Sequence, residues 1–164
     1  MAIRIVRLGS ERLPEEGLRI GTVRRPPRGV LKSEYASKNY YDVRLPSLAP
    51  TADLVKLALA ADSAKEWNRF VKRYRRQMAA TEVSALIDAL AALSRQTDFS
   101  VGCYCLDESR CHRSVLRQLL IEREAFIHLA GGVWGAIVIV RGASSNFPDV
   151  TNFAKVCYIL ATVE

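Results

Sequence analysis

The sequence has few cysteines, no long apolar run and a deficit of acidic residues. Four cysteines in 164 residues are too few for a disulfide framework, and three of them lie within the nine positions from 103 to 111. The first residues, MAIRIVRLGSERLPEEG, lack the apolar core of a signal peptide. The most apolar run, 129–140, is too short to span a bilayer. These absences predict a cytoplasmic protein with no membrane partner.

The acidic residues, 17 in number, are outnumbered by 24 lysines and arginines, which gives a net charge of +7. The charges of residues 125–164 cancel, so the whole excess lies in residues 1–124. A basic body of this kind favours an anionic partner such as a nucleotide or a nucleic acid. It is also a general property of many proteins with no such partner. No sequence feature calls for an organic cofactor, and we expect none.

Short apolar strands alternate with amphipathic helices along the first 124 residues. This order predicts a single α/β domain, with a mixed or parallel sheet covered by helices. The predicted strands are 3–8, 18–23, 40–45 and 99–105, and the predicted helices are 51–60, 63–79, 81–93 and 112–123. Residues 125–164 differ in composition and are treated as a C-terminal extension. Its β-like run 136–140 and last apolar stretch 156–163 are compatible with a strand and a helix or with irregular structure.

The segment from Phe99 to Leu120 is the predicted functional site. Cys103 and Cys105 end a predicted strand, a polar turn follows, and Cys111, His112 and Arg113 begin a predicted helix. Polar residues at the carboxyl ends of strands in an open α/β sheet commonly contact ligands. The alternative for the two strand cysteines is simple packing as small apolar residues.

The leading interpretation of this segment is a site for a phosphate-bearing ligand. The first turn of a helix presents free N–H groups, and His112 and Arg113 add side-chain donors. Arg28, Arg110 and Cys111 complete the predicted contacts.

A second interpretation is cysteine catalysis, with Cys105 as nucleophile and His112 as proton carrier. Arg110 and the amides of the turn would hold an anionic substrate, because such a turn stabilises negative charge. The spacing of Cys105 and Arg110 is similar to that of rhodanese-like sulfurtransferases, although the usual glycines are missing. A third interpretation is a zinc site. Its spacing is poor, because Cys111 and His112 are adjacent and no C-x2-C pair is present, so no metal ligand is predicted.

Two further basic segments are compatible with anion binding. The loop 24–29, RRPPRG, carries three arginines on a backbone limited by two prolines. The predicted helix 63–79 carries cations at helical spacing, at Arg69, Lys72, Arg73 and Arg76. Each segment also has an interpretation without a ligand. The loop is then a surface turn, and the cations of the helix form a solvated face.

The sequence resembles the bacterial family called domain of unknown function 488, near its YeaO-like branch. The resemblance rests on GTVRRPPRG (21–29), YDVRLPSLAP (41–50), EWNRFVKRYRRQM (66–78) and VGCYCLDESRCHRSVL (101–116), in the order and spacing of the family. It covers residues 3–124 and implies an α/β sandwich. It also places the family's cysteine, acidic turn and Cys-His-Arg pattern on 105–113, and its Pro-Arg-Gly element on 27–29. It does not imply a biochemical role.

Overall fold

A computed structural model describes residues 1–128 and the backbone of 134–135. Within this part of the chain the strands are β1 (Ile3–Arg7), β2 (Leu18–Gly21), β3 (Val43–Arg44), β4 (Phe99–Cys103), β5 (Ile127–His128) and β6 (Trp134–Gly135). The α-helices are α1 (Ala52–Leu59), α2 (Ala64–Met78), α3 (Thr81–Leu93) and α4 (His112–Ile121). Short 3-10 turns at Lys32–Glu34 and Pro46–Leu48 flank β3.

The strands form one sheet in the order β3-β2-β4-β1-β5-β6. All described pairs are parallel except β5 with β6, which is antiparallel. Strand β4 lies between β1 and β2, and all five of its residues are buried. Because these three strands run parallel, their carboxyl ends meet at one edge of the sheet. The chain then enters α4 directly beyond that edge.

The helices bury apolar stripes whose spacing is visible in the sequence. In α2, Phe70, Tyr74 and Met78 are buried, while Lys72, Arg73 and Arg76 are exposed. The helix begins at a capping box, in which Ser63 and Glu66 bond each other's backbone N–H groups. The main core joins these residues to Leu116 and Leu120 of α4 and to Ile3, Phe99 and Val101 of the sheet. Burial of this stripe therefore fixes α2 beside α4.

The predicted single α/β domain is confirmed, and the helix positions agree to within two residues at each end. The strand predicted for 99–105 is too long, because β4 ends at Cys103 and Cys105 lies exposed beyond it. The sheet continues past residue 124, since Ile127 pairs with Ile3. The runs 136–140 and 156–163 lie outside the described residues. In the part of the chain described, no helix is long and apolar enough to cross a membrane.

Candidate functional site

The candidate site lies at the carboxyl edge of the sheet, where β4 and β2 lead into the first turn of α4. Strand β4 ends at Cys103, and Thr22 follows the neighbouring end of β2, donating its backbone N–H to Gly102 O over 2.8 Å. Cys111 is the N-cap of α4, with extended backbone, and His112 is the first helical residue. The backbone therefore changes from extended at Cys111 to helical at His112, which allows the side chains of both residues to point towards Cys103.

Three cysteines and one histidine converge at this edge. The Sγ atoms of Cys103 and Cys105 are 3.7 Å apart, and Cys111 Sγ is 3.7 Å from His112 Nδ1. The potential ligand atoms of Cys103, Cys111 and His112 all lie within 4.8 Å of one another. Cys103, Cys111 and His112 are buried, whereas Cys105 is exposed. The cluster of these four residues, called here the thiol cluster, therefore opens to solvent at Cys105.

The ring of His112 is held in one orientation by β2. Its Nε2 lies 2.9 Å from the carbonyl oxygen of Thr22 and 3.2 Å from Thr22 Oγ1. A carbonyl only accepts hydrogen bonds, so Nε2 carries the proton in the neutral ring and Nδ1 presents its lone pair to the thiols. Tyr74 packs edge-on against the ring, with 5.7 Å between ring centroids.

The thiol cluster stabilises one thiolate. Hydrogen bonds from Cys103 and Cys105 hold the pKa of Cys111 far below its usual value despite burial, and the adjacent His112 ring adds to the effect. The pKa of Cys103 is raised, first by its hydrogen bond with Cys105 and then by that with Cys111 and by burial. The hydrogen bond from Cys103 lowers the pKa of Cys105. The pKa of Cys105 is nevertheless raised, because its hydrogen bond to Cys111, its partial burial and the charge of Cys111 outweigh that effect.

The arginines predicted to contact a ligand at the helix start have other partners. Arg113 is 2 % exposed, and its Nη2 donates to Cys105 O over 2.7 Å, which fixes the backbone of that cysteine. Arg110 donates to the carbonyl of Ala61 and lies over the ring of Trp67. Arg113 is therefore buried against the turn, whereas Arg110 is an exposed residue whose guanidinium contacts Ala61 and Trp67.

Arg28 lies in the basic loop, at a shallow depression of about 360 Å³. The depression is lined by Arg25, Pro26, Pro27, Arg28, Tyr40 and Tyr104. Tyr104 separates Cys103 from Cys105 in the chain. Tyr40 and Tyr104 pack against the buried group that contains Cys103 and Cys111. The depression and the thiol cluster thus share a wall, and a ligand in one lies close to the other.

The structure brings together four of the residues singled out in the sequence and adds three that were missed. Cys103, Cys105, Cys111 and His112 meet, whereas Arg110 points elsewhere. Thr22 was missed, because it acts mainly through its backbone carbonyl and any residue type has one. Tyr40 and Tyr104 were also missed as lining residues. Their aromatic character was visible, but their convergence depends on pairing of distant strands.

The fold and site define an α/β protein with a thiol cluster at the carboxyl edge of a largely parallel sheet. Residues 3–124 match the model of the family described as the active DUF488-N3 subclade. The chain belongs to this family, and the match covers all the residues of the site. No match was found among curated proteins or among solved structures.

Proposed function

We propose that the protein binds a thiophilic metal ion, with zinc as the best fit, through Cys103, Cys105, Cys111 and His112. The observation that carries this proposal is that the potential ligand atoms of Cys103, Cys111 and His112 lie within 4.8 Å of one another, with Cys105 Sγ 3.7 Å from Cys103 Sγ. Thiolates and neutral imidazole are the ligands that zinc prefers, and structural sites take four of them.

The distances fit tetrahedral coordination. With Zn–S bonds of about 2.3 Å, the sulfur atoms of a tetrahedral site lie about 3.8 Å apart. The Sγ atoms of Cys103 and Cys105 are 3.7 Å apart, and the Cys111–His112 contact is also 3.7 Å. An ion bound by Cys103, Cys111 and His112 would therefore require little movement of these three residues, and Cys105 lies near enough to Cys103 to approach as the fourth ligand.

The surroundings of the cluster also support metal binding. Metal-ligating histidines commonly donate their other N–H to a backbone carbonyl, as His112 does to Thr22. Three thiolates and one imidazole around a divalent ion carry a net charge of about −1. The buried guanidinium of Arg113 supplies a nearby positive charge, since it donates to Cys105 O. Reduced thiols fit a reducing compartment, and we propose the cytoplasm as the location.

Metal content and thiol reactivity test the proposal together. Purified protein equilibrated with Zn²⁺ and then dialysed should retain about one zinc per chain, measured by elemental analysis and native mass spectrometry. Cys111→Ser and His112→Ala should lower zinc affinity strongly, and Co²⁺ should give a thiolate charge-transfer band only in chains with the cluster intact. Cys157→Ser, outside the described residues, is the control and should leave zinc binding unchanged.

Failure to retain zinc, with no Co²⁺ band, would contradict metal binding. The same samples then address a second candidate, cysteine catalysis by Cys105, which is favoured by the exposure of that thiol, although the raised pKa of Cys105 opposes it. Iodoacetamide reacting with Cys105 near neutral pH in the metal-free protein would support this candidate. Reaction only above pH 8 would leave it without an activated thiol.

A further inference from the structure

The basic loop and the adjoining end of β3 carry four arginines without acidic partners. Arg24, Arg25, Arg28 and Arg44 are exposed, and none forms an ion pair with a described acidic residue. Arg44 donates to the carbonyl of Arg24, and Arg24 donates to the carbonyl of Pro50, so these two cations are held in place by backbone. Four positive charges concentrated in this way attract an anion.

The backbone of the loop is restrained. Pro26 and Pro27 fix two φ angles, and Gly29 has φ of +70°, a conformation that other residues rarely adopt. Tyr104 bonds the loop to the end of β4 by donating its hydroxyl to Arg25 O over 3.3 Å. Since less conformational entropy is lost when a restrained loop binds, its arginines are suited to a small ligand.

The same depression offers aromatic surface. Tyr40 and Tyr104 are both half-buried and meet edge-to-face, with 6.0 Å between ring centroids. Aromatic rings stack on nucleobases without regard to sequence, and arginine forks match phosphate oxygens. A ligand that uses both features combines an aromatic ring with a phosphate.

We propose that this depression binds a nucleotide unit, with its phosphate on Arg25 and Arg28 and its base against Tyr40 and Tyr104. The unit is either a free mononucleotide or part of a single-stranded nucleic acid. This proposal keeps the phosphate-bearing ligand expected from the sequence but moves it from the start of α4 to the basic loop. It uses none of the four thiol-cluster residues and stands independently of metal binding.

Titrations with four probes test the proposal: adenosine monophosphate, adenosine, inorganic phosphate and a single-stranded pentanucleotide. Binding is followed by amide chemical shifts, which report where each probe contacts the protein. The mononucleotide should bind at least about tenfold more tightly than phosphate or adenosine, because only it engages both surfaces. Shifts should concentrate at the basic loop and at Tyr104.

A pentanucleotide that binds much more tightly than the mononucleotide would identify the source as a nucleic-acid strand, and equal affinities would identify a free nucleotide.

Two matched pairs of substitutions separate a built site from general charge attraction. Arg25→Gln with Arg28→Gln should weaken mononucleotide binding about tenfold or more. Arg69→Gln with Arg73→Gln removes the same charge from the exposed face of α2 and should change the affinity less than twofold. Tyr104→Phe keeps the ring and loses only the hydroxyl bond to Arg25 O, so it should weaken binding less than Tyr104→Leu does. Since the arginines are exposed, their substitution leaves the core intact.

Equal losses from both arginine pairs would overturn the proposal. Binding of phosphate as tightly as the mononucleotide, or no binding of any probe, would also overturn it.

Discussion

At the scale of single residues, Glu16 and Arg19 form the most deeply buried ion pair of the described residues. The two side chains are almost fully buried, and Glu16 Oε1 also accepts from Ser100 Oγ in β4. The guanidinium donates to the carbonyls of Ser10 and Asn39. One side chain on β2 thus holds the loops that follow β1 and precede β3 against the sheet.

This pair predicts a pH-dependent stability. Burial alone would raise the pKa of Glu16, but hydrogen bonds from Arg19 and Ser100 outweigh it and hold the pKa below 4.5. A lowered folded pKa means that the stabilisation is complete above the unfolded value, near 4.5, and is lost as the pH falls through the folded value. Glu16→Gln should therefore lower the free energy of unfolding by about 3 kcal/mol at pH 7, because it leaves Arg19 buried without a counter-charge.

Urea unfolding between pH 3 and 7 measures this effect. The difference between wild type and Glu16→Gln should shrink as the pH falls below about 4.5, where Glu16 becomes protonated in the unfolded chain, and should disappear below its lower pKa in the folded protein. Glu82→Gln, a change at an exposed residue of α3, is the control and should follow the wild-type profile. A constant difference across the whole range would argue against the ion pair as the cause.

At the scale of elements, the start of α2 determines where the aromatic stripe meets the site. Ser63 Oγ accepts from the backbone N–H of Glu66, and Glu66 Oε2 accepts from the backbone N–H groups of Ser63 and Asp62. Removing such a cap costs about 1 kcal/mol. Tyr74 of the same helix packs on His112, so α2 also contributes a wall of the thiol cluster.

Ser63→Ala should accordingly destabilise the protein by about 1 kcal/mol, measured by thermal or urea unfolding. Ser63→Thr retains an accepting hydroxyl and should lose much less. A Ser63→Ala variant as stable as wild type would show that burial of the apolar stripe alone fixes the start of this helix.

Most elements were predictable, because their signals are local. Thr51 and Ser63 are N-caps in the structure, and the spacing of Phe70, Tyr74 and Met78 marks the buried face of α2. The thiol cluster was harder to foresee. The adjacency of Cys111 and His112 argued against shared coordination, but the change from extended to helical backbone between them brings Sγ and Nδ1 to the same place.

The long side chains were the least predictable part of the site. The sequence indicates that Arg110 and Arg113 flank the helix start, but it does not determine which acceptors they reach. Arg110 finds Ala61 and Trp67, which precede it by more than 40 positions. Arg113 turns inward to Cys105 O. Such choices depend on the packing of distant elements, which no local pattern encodes.

At the scale of the whole molecule, metal binding should be linked to stability. A ligand that binds only the folded state at 100 times its dissociation constant stabilises it by about 2.7 kcal/mol. All four proposed ligands lie between residues 103 and 112, so the unfolded chain also retains some affinity and the gain should be smaller. The thermal midpoint should therefore rise with Zn²⁺ and stay unchanged with Mg²⁺. Cys111→Ser should show a much smaller rise, and a rise as large as in wild type would place the bound zinc elsewhere.

The sheet order has a consequence for the chain during synthesis. Strand β4, which lies between β1 and β2, is made about 80 residues after β2, so both earlier strands await their shared partner with unpaired edges. Unpaired strand edges invite aggregation, and charged side chains on them counter it. Arg4 and Arg7 alternate with the apolar residues of β1, and Arg19 interrupts β2. We therefore expect these arginines to reduce association of the nascent chain until β4 emerges and closes the centre of the sheet.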